Sequence, residues 1–124
     1  MEFLIVAIGG ALGALSRYLT VTTVAKIFGA TFPYGTLLIN TLGSFILVFF
    51  VILTIEKLTI DPIWRLFFAV GFLGSFTTFS SFSYETIALF QDGEYFKGIT
   101  NILLNNIFSL LAGLIGLISA KALI

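Results

Sequence analysis

The sequence predicts an all-α membrane protein of four transmembrane helices, and three observations point there. Hydrophobic residues make up 59% of the 124-residue chain and charged residues only 10%, against about 25% charged in a typical soluble chain. Six basic and six acidic side chains cannot coat a surface of that composition, so lipid must supply most of the solvent. Three stretches, Tyr34 to Ile55, Leu66 to Tyr84 and Gly98 to Ala120, carry no charge at all and approach or exceed the roughly 20 apolar residues that a spanning helix needs. Turn-forming or charged residues separate the spans at Phe28 to Pro33, Glu56 to Pro62 and Gln91 to Lys97. The expected helices cover about 3–25, 34–55, 63–90 and 98–121, in one domain spanning 1–124.

The first helix has the length but holds Arg17 well inside it. Glu2 precedes its apolar run where a signal peptide would carry Lys or Arg, and more hydrophobic sequence follows, so it reads as a retained helix. Gly9 and Gly13 form a small-xxx-small pair suited to close helix packing. For Arg17 two placements are open: snorkelling to the nearer interface, or standing in a vestibule that draws anions.

In the second helix, Thr36, Asn40 and Gly43 recur at i, i+4 and i+7 and share one face. The Asn40 amide brings two donors to that face, either as glue between helices or as lining for a polar path. Asp61 and Pro62 suit the cap and first turn of the third helix.

The third helix is the unusual one. From Gly71 it runs Gly-Phe-Leu-Gly-Ser-Phe-Thr-Thr-Phe-Ser-Ser-Phe-Ser-Tyr-Glu, with glycine and hydroxyl residues where apolar helix formers belong. This pattern predicts a break, which membrane depth tolerates only where backbone is buried in protein or lines a wet cavity. Carbonyls freed by a break suit a hard cation, and N–H groups at a half-helix start favour an anion. Phe79 and Phe82 would share a face beyond the break, among the hydroxyls of Thr78, Ser80 and Ser81. An aromatic ring has a positive edge, so an edge-on ring can attract a small anion. Glu85 closes the run, and hydroxyl or backbone donors are its candidate partners. The fourth helix carries a stripe at Asn101, Asn105, Ser109, Gly113 and Gly116, with Asn106 beside it; packing and lining are both open for Ser109.

Composition also excludes chemistry. With no Cys and no His, disulfides, thiolate metal sites and imidazole catalysis are ruled out. Zero net charge argues against nucleic acid. The basic residues divide almost evenly between the two sides: Lys57, Arg65 and Lys121 on one, Lys26 and Lys97 with Arg17 leaning toward the other. The positive-inside rule therefore selects no orientation. Either a few charges signal weakly, or copies insert both ways and pair antiparallel.

Gly35-Thr36 to Asn40 and Gly43 resembles the GT-x3-N-x2-G motif of the Fluc (CrcB) fluoride channels. Gly71 to Gly74, followed by Thr77 to Ser83 and Glu85, is similar to that family's third-helix motif, and Gly13 to Arg17-Tyr18 resembles its first-helix G-x3-RY. The resemblance covers all four helices. It implies a fluoride-selective channel of the inner cell membrane that exports fluoride passively and lowers its toxicity, and that is not an enzyme. It implies a dual-topology antiparallel homodimer in the lipid bilayer, with a structural Na+ at its centre held by the carbonyls of Gly74 and Thr77. It further implies a fluoride pathway of Asn40, Phe79, Phe82, Ser80, Ser81, Ser109 and Thr78, with Arg17, Thr36 and Glu85 as vestibule or support. Two positions depart from the pattern. Ser75-Phe76 stands where Gly-Leu is commoner, and Leu103 where a tyrosine is usual, with Asn105 or Asn106 as candidate substitutes. The rival is a small four-helix proton-coupled drug exporter, which needs a titratable acid deep in the membrane; the first helix has none beyond Glu2. A structural subunit would explain the glycines but not the Thr-Thr-Phe-Ser-Ser-Phe run.

Overall fold

The computed structural model describes residues 1–124, all helical apart from short turns. Helix α1 spans Glu2–Phe28 and α2 spans Tyr34–Glu56. A segmented span follows: α3 (Pro62–Arg65), a π-helical stretch (Leu66–Leu73), α4 (Gly74–Phe76) and α5 (Phe79–Gln91). Helix α6, Tyr95–Ala122, completes the chain. Four helical units, Glu2–Phe28, Tyr34–Glu56, Pro62–Gln91 and Tyr95–Ala122, are long and apolar enough to cross a membrane. Only 20 of 124 residues are buried, so most of the apolar surface faces outward, as a lipid-solvated bundle requires.

Local chemistry sets the ends. Gly29 and Gly93 close α1 and α5 at φ 85° and 77°, a backbone region that side-chain-bearing residues avoid. Asp61 accepts a hydrogen bond from the Ile63 N–H at 3.0 Å, and Pro62 occupies the first helical turn where its missing N–H costs nothing. The fourth span starts at Tyr95, three residues before the expected Gly98, because only Asp92 to Glu94 are needed for the turn.

Two helix pairs make the core, and glycine lets each close. Gly9 and Gly13 of α1 meet the π-helical stretch so tightly that an added Cβ would lie 2.5 Å from the Phe67 carbonyl oxygen and 2.1 Å from that of Phe72. Gly116 of α6 meets α2 in the same way, 2.7 Å from the Phe45 carbonyl oxygen. Phe68, Phe72 and Phe76 stack at 5.7 and 6.0 Å between centroids, and Phe76 is buried. The Ser75-Phe76 departure therefore supplies a packing ring.

At the end of the bundle near the C-terminus, Arg65 donates to Thr54 Oγ1 and to its carbonyl at 3.3 and 3.2 Å. Lys57 donates to the Leu123 carbonyl, and Lys121 pairs with Glu56 at 2.6 Å. That last pair is largely exposed, and exposed ion pairs contribute roughly 0.2–1 kcal/mol. Glu56→Gln is accordingly expected to move the melting midpoint in detergent by no more than a few degrees; a large fall would assign the clasp a structural weight that its exposure denies.

Candidate ion pathway

The site begins where the third span stops being a helix. In the π-helical stretch the turns are one residue wide of α geometry, and the Gly74 N–H reaches back to Ala69 C=O. Thr77 and Thr78 are then extended, at φ/ψ of −85/156° and −153/125°, a conformation that β-branched residues favour. Helix α5 restarts with Thr78 as its cap, its Oγ1 accepting from the Ser81 N–H at 3.1 Å. The break is thus built from a wide helix, two threonines and a cap.

Polar side chains from neighbouring helices settle the backbone groups that the break frees. Asn40 clamps Thr78 from both directions: its Oδ1 accepts from the Thr78 N–H at 2.9 Å, and its Nδ2 donates to the Thr78 carbonyl at 3.0 Å. Arg17 Nε donates to the Ser75 carbonyl at 3.0 Å. The arginine therefore ties α1 to the break rather than only reaching for an interface. Gly43 admits the Thr77 methyl, which would lie 2.3 Å from an added Cβ. Thr36, Asn40 and Gly43 all face the third span, so the shared face read from their spacing is the one that holds the break.

A groove of about 250 Å³ lies against the start of α5, lined by Asn40, Ser44, Thr77, Thr78, Phe79, Phe82, Asn105, Asn106, Ser109 and Leu110. Its polar walls are amides and hydroxyls, with no ionisable group among them. A helix N-terminus carries about half a positive charge and unpaired N–H groups, so the groove suits an anion without fixing it to a full charge. The Phe79 and Phe82 rings contact at 5.3 Å between centroids, tilted by 57°. Phe82 is buried at 7% exposure, while Phe79 stands out at 75%. Ser80 bonds Thr78 through their hydroxyls at 3.2 Å, and the Ser81 N–H is spent on the cap. Of the expected pathway residues, Asn40, Thr78, Phe79, Phe82 and Ser109 line this groove together; Ser80 and Ser81 lie beside it on the first turn of α5. Leu103 is exposed and away from the groove, whereas both Asn105 and Asn106 line it.

Glu85 lies elsewhere. Its Oε2 accepts from Thr36 Oγ1 at 3.0 Å, a partner on α2 rather than on its own helix, and its Oε1 is buried without a partner. Both residues line a second cavity of about 470 Å³ that reaches the turns at Gly29–Pro33 and Asp92–Glu94. Thr36 is one turn from Asn40, so successive turns of α2 serve the two cavities.

Sequence reading missed a relay behind the groove. Asn105 Nδ2 donates to Asn101 Oδ1 and to its carbonyl at 2.9 and 3.1 Å. Asn101 Nδ2 donates to Thr86 Oγ1 at 2.9 Å, which donates to the Phe82 carbonyl at 2.8 Å. The four-residue spacing of Asn101 and Asn105 marked their common face, but Thr86, the residue after Glu85 and outside the hydroxyl run, gave no signal.

The profile of the family described as CrcB-like protein, Camphor Resistance (CrcB), matches residues 4–117. A protein named fluoride-specific ion channel FluC from Sulfurihydrogenibium sp. (strain YO3AOP1) is 52% identical over 122 residues, covering 98% of each chain. Its namesake from Legionella pneumophila (strain Paris) is 52% identical over 119 residues, 96% of this chain and 89% of its own. Another from Koribacter versatilis (strain Ellin345) is 49% identical over 111 residues, 90% and 88% of the two chains.

Proposed function

Because the chain belongs to the CrcB family, we propose that it is a fluoride-selective channel, a passive conduit rather than an enzyme, exporting the anion across the inner cell membrane. The observation that carries this reading is the groove at the start of α5, walled by neutral donors and two phenylalanines. Hydroxyls and ring edges can replace part of an anion's hydration shell while letting it leave. Asn40, Thr78, Ser80, Ser81 and Ser109 supply the polar side of that path, and Phe79 and Phe82 the aromatic side; Arg17, Thr36 and Glu85 support it. An inside-negative membrane potential drives an anion outward with roughly 2.3 kcal/mol per charge per 100 mV, so no energy-coupling site is needed. Fluoride that enters as neutral HF and dissociates inside is returned by this route.

The active form is an antiparallel homodimer. The nearly even distribution of Lys and Arg over the two sides supports insertion both ways. Exposed groups at the break support a second copy there: Phe79, and Gly74, whose Cβ position meets only the Ala69 carbonyl oxygen at 3.7 Å. Gly74 and Thr77 fit a sodium ion in kind, as neutral carbonyls at a helix break, and two carbonyls from one chain need a partner's to complete a shell. Bound there, sodium would neutralise the crowding of those carbonyl dipoles and hold the break in shape.

The test is fluoride efflux from potassium-loaded liposomes with valinomycin, with chloride as control. Rapid fluoride loss without chloride loss is expected. No fluoride loss from folded dimers would overturn the reading and turn attention to proton-coupled cation export. Phe79→Ile and Phe82→Ile keep apolar bulk but remove the ring edges. Each is expected to slow fluoride efflux about tenfold, equivalent to about 1.4 kcal/mol, with the elution profile of the dimer unchanged. Unaltered efflux in both would remove the aromatic side of the path.

A further inference from the structure

We infer that Asn105 is a specificity-determining residue that reserves the groove-facing donor of Asn40 for the strongest anionic acceptor; the inference rests on the channel reading above. Asn40 has two N–H bonds to give, and both are already given. One goes to the Thr78 carbonyl at 3.0 Å and the other to Asn105 Oδ1 at 3.1 Å. The Thr78 bond belongs to the clamp on the helix break and is reinforced by the return bond from the Thr78 N–H. The bond to Asn105 is the one that an anion in the groove can take over.

Asn105 cannot turn its donor toward the groove instead, because the relay behind it fixes which end points where. Its Nδ2 serves the Oδ1 and carbonyl of Asn101, and Asn101 in turn serves Thr86. Flipping Asn105 would set its NH2 against that of Asn40 and its oxygen against the oxygens of Asn101. Asn105 is 5% exposed and Asn101 fully buried, so water cannot relieve that mismatch cheaply. The relay therefore presents a carbonyl oxygen to Asn40 and keeps it there.

An arriving anion must compete with that carbonyl for one N–H. Hydrogen bonds to ionised acceptors are roughly twice as strong as neutral ones, and the gain is greatest for a small anion of high charge density. Fluoride outcompetes an amide oxygen; chloride, larger and more diffuse, gains much less over it. The neutral competitor thus raises the threshold for all anions and separates those that pass it.

The experiment measures fluoride and chloride efflux side by side for the full-length protein, for Asn105→Leu and for Thr86→Val. Leucine removes the competing carbonyl and leaves the Asn40 donor free. The chloride-to-fluoride rate ratio is expected to rise about tenfold, or about 1.4 kcal/mol of lost discrimination. Thr86→Val removes the hydroxyl that anchors Asn101 with little change of shape, and is expected to raise the ratio about threefold. A purely structural role would slow both anions and leave the ratio alone; that result in either folded variant overturns the inference. Should Asn105→Leu not fold, Thr86→Val decides. A wild-type protein that passes no fluoride would instead defeat the channel reading, so the two failures are distinct.

Discussion

Replacing Asn40 with leucine is expected to abolish fluoride efflux and to cost the fold on the order of 5 kcal/mol, because three polar groups lose their partner at roughly 1–3 kcal/mol each. The side chain accepts from the N–H of the extended residue Thr78, donates to its carbonyl, and also serves Asn105. Asn105 is buried and Thr78 only partly exposed, so water in the groove replaces those bonds incompletely. The cheapest relief is for the break to close into helix or to shift, and either change moves Phe79 and Phe82 relative to α6. Thermal melting in detergent and liposome efflux together check the claim. A variant that melts like wild type would show that the break holds itself without the clamp; a variant that still conducts would remove Asn40 from the pathway.

Gly13→Ala is also expected to abolish efflux, for a steric reason. The new methyl would lie 2.1 Å from the Phe72 carbonyl oxygen and 2.9 Å from its carbon. Both are backbone atoms, so relief requires moving α1 bodily away from the π-helical stretch. Overpacking of this kind typically costs about 1–3 kcal/mol, occasionally more, and it should also pull Arg17, one turn further along α1, off the Ser75 carbonyl. Loss of a monodisperse elution profile and of efflux is expected. Gly10→Ala is the control: its methyl meets the Ser75 Oγ at 3.2 Å, a side-chain end that can turn aside, so near-normal melting and flux are expected. Equal damage at both positions would mean that α1 tolerates no methyl on this side and that the Phe72 carbonyl is not the cause.

The four apolar units and their turns are legible in the sequence because hydropathy and punctuation act locally. The break is legible for the same reason: Gly74 and the hydroxyl run oppose helix in the middle of a span where lipid demands it, and Thr77-Thr78 are the extended residues. Which groups satisfy the break is not a local matter. Arg17 finds Ser75 across 58 residues and Thr36 finds Glu85 across 49, pairings decided by how α1 and α2 lean on the third span. The π-helical stretch is invisible too, since Leu66 to Val70 reads as ordinary apolar helix and its wide turns answer to close packing on Gly9 and Gly13. Helical spacing alone offers Asn40 as a free donor for an anion, whereas both its N–H bonds are taken within the chain.

The wide turns at Leu66–Leu73 also bear on how this gene can change. A π turn holds one more residue than an α turn, so this stretch contains a residue that a plain helix would not need. Loss of a single codon inside a membrane span is ordinarily ruinous, because every later side chain rotates to a new face. Here the deletion can be absorbed by a return to α geometry, leaving the break, the threonines and α5 in register. The cost falls on the contact with α1, where Gly71 meets Gly9, and on the rings of Phe68 and Phe72. This stretch is therefore the one part of the four spans where a change of length has a geometric outlet, taken at the expense of the packing against α1.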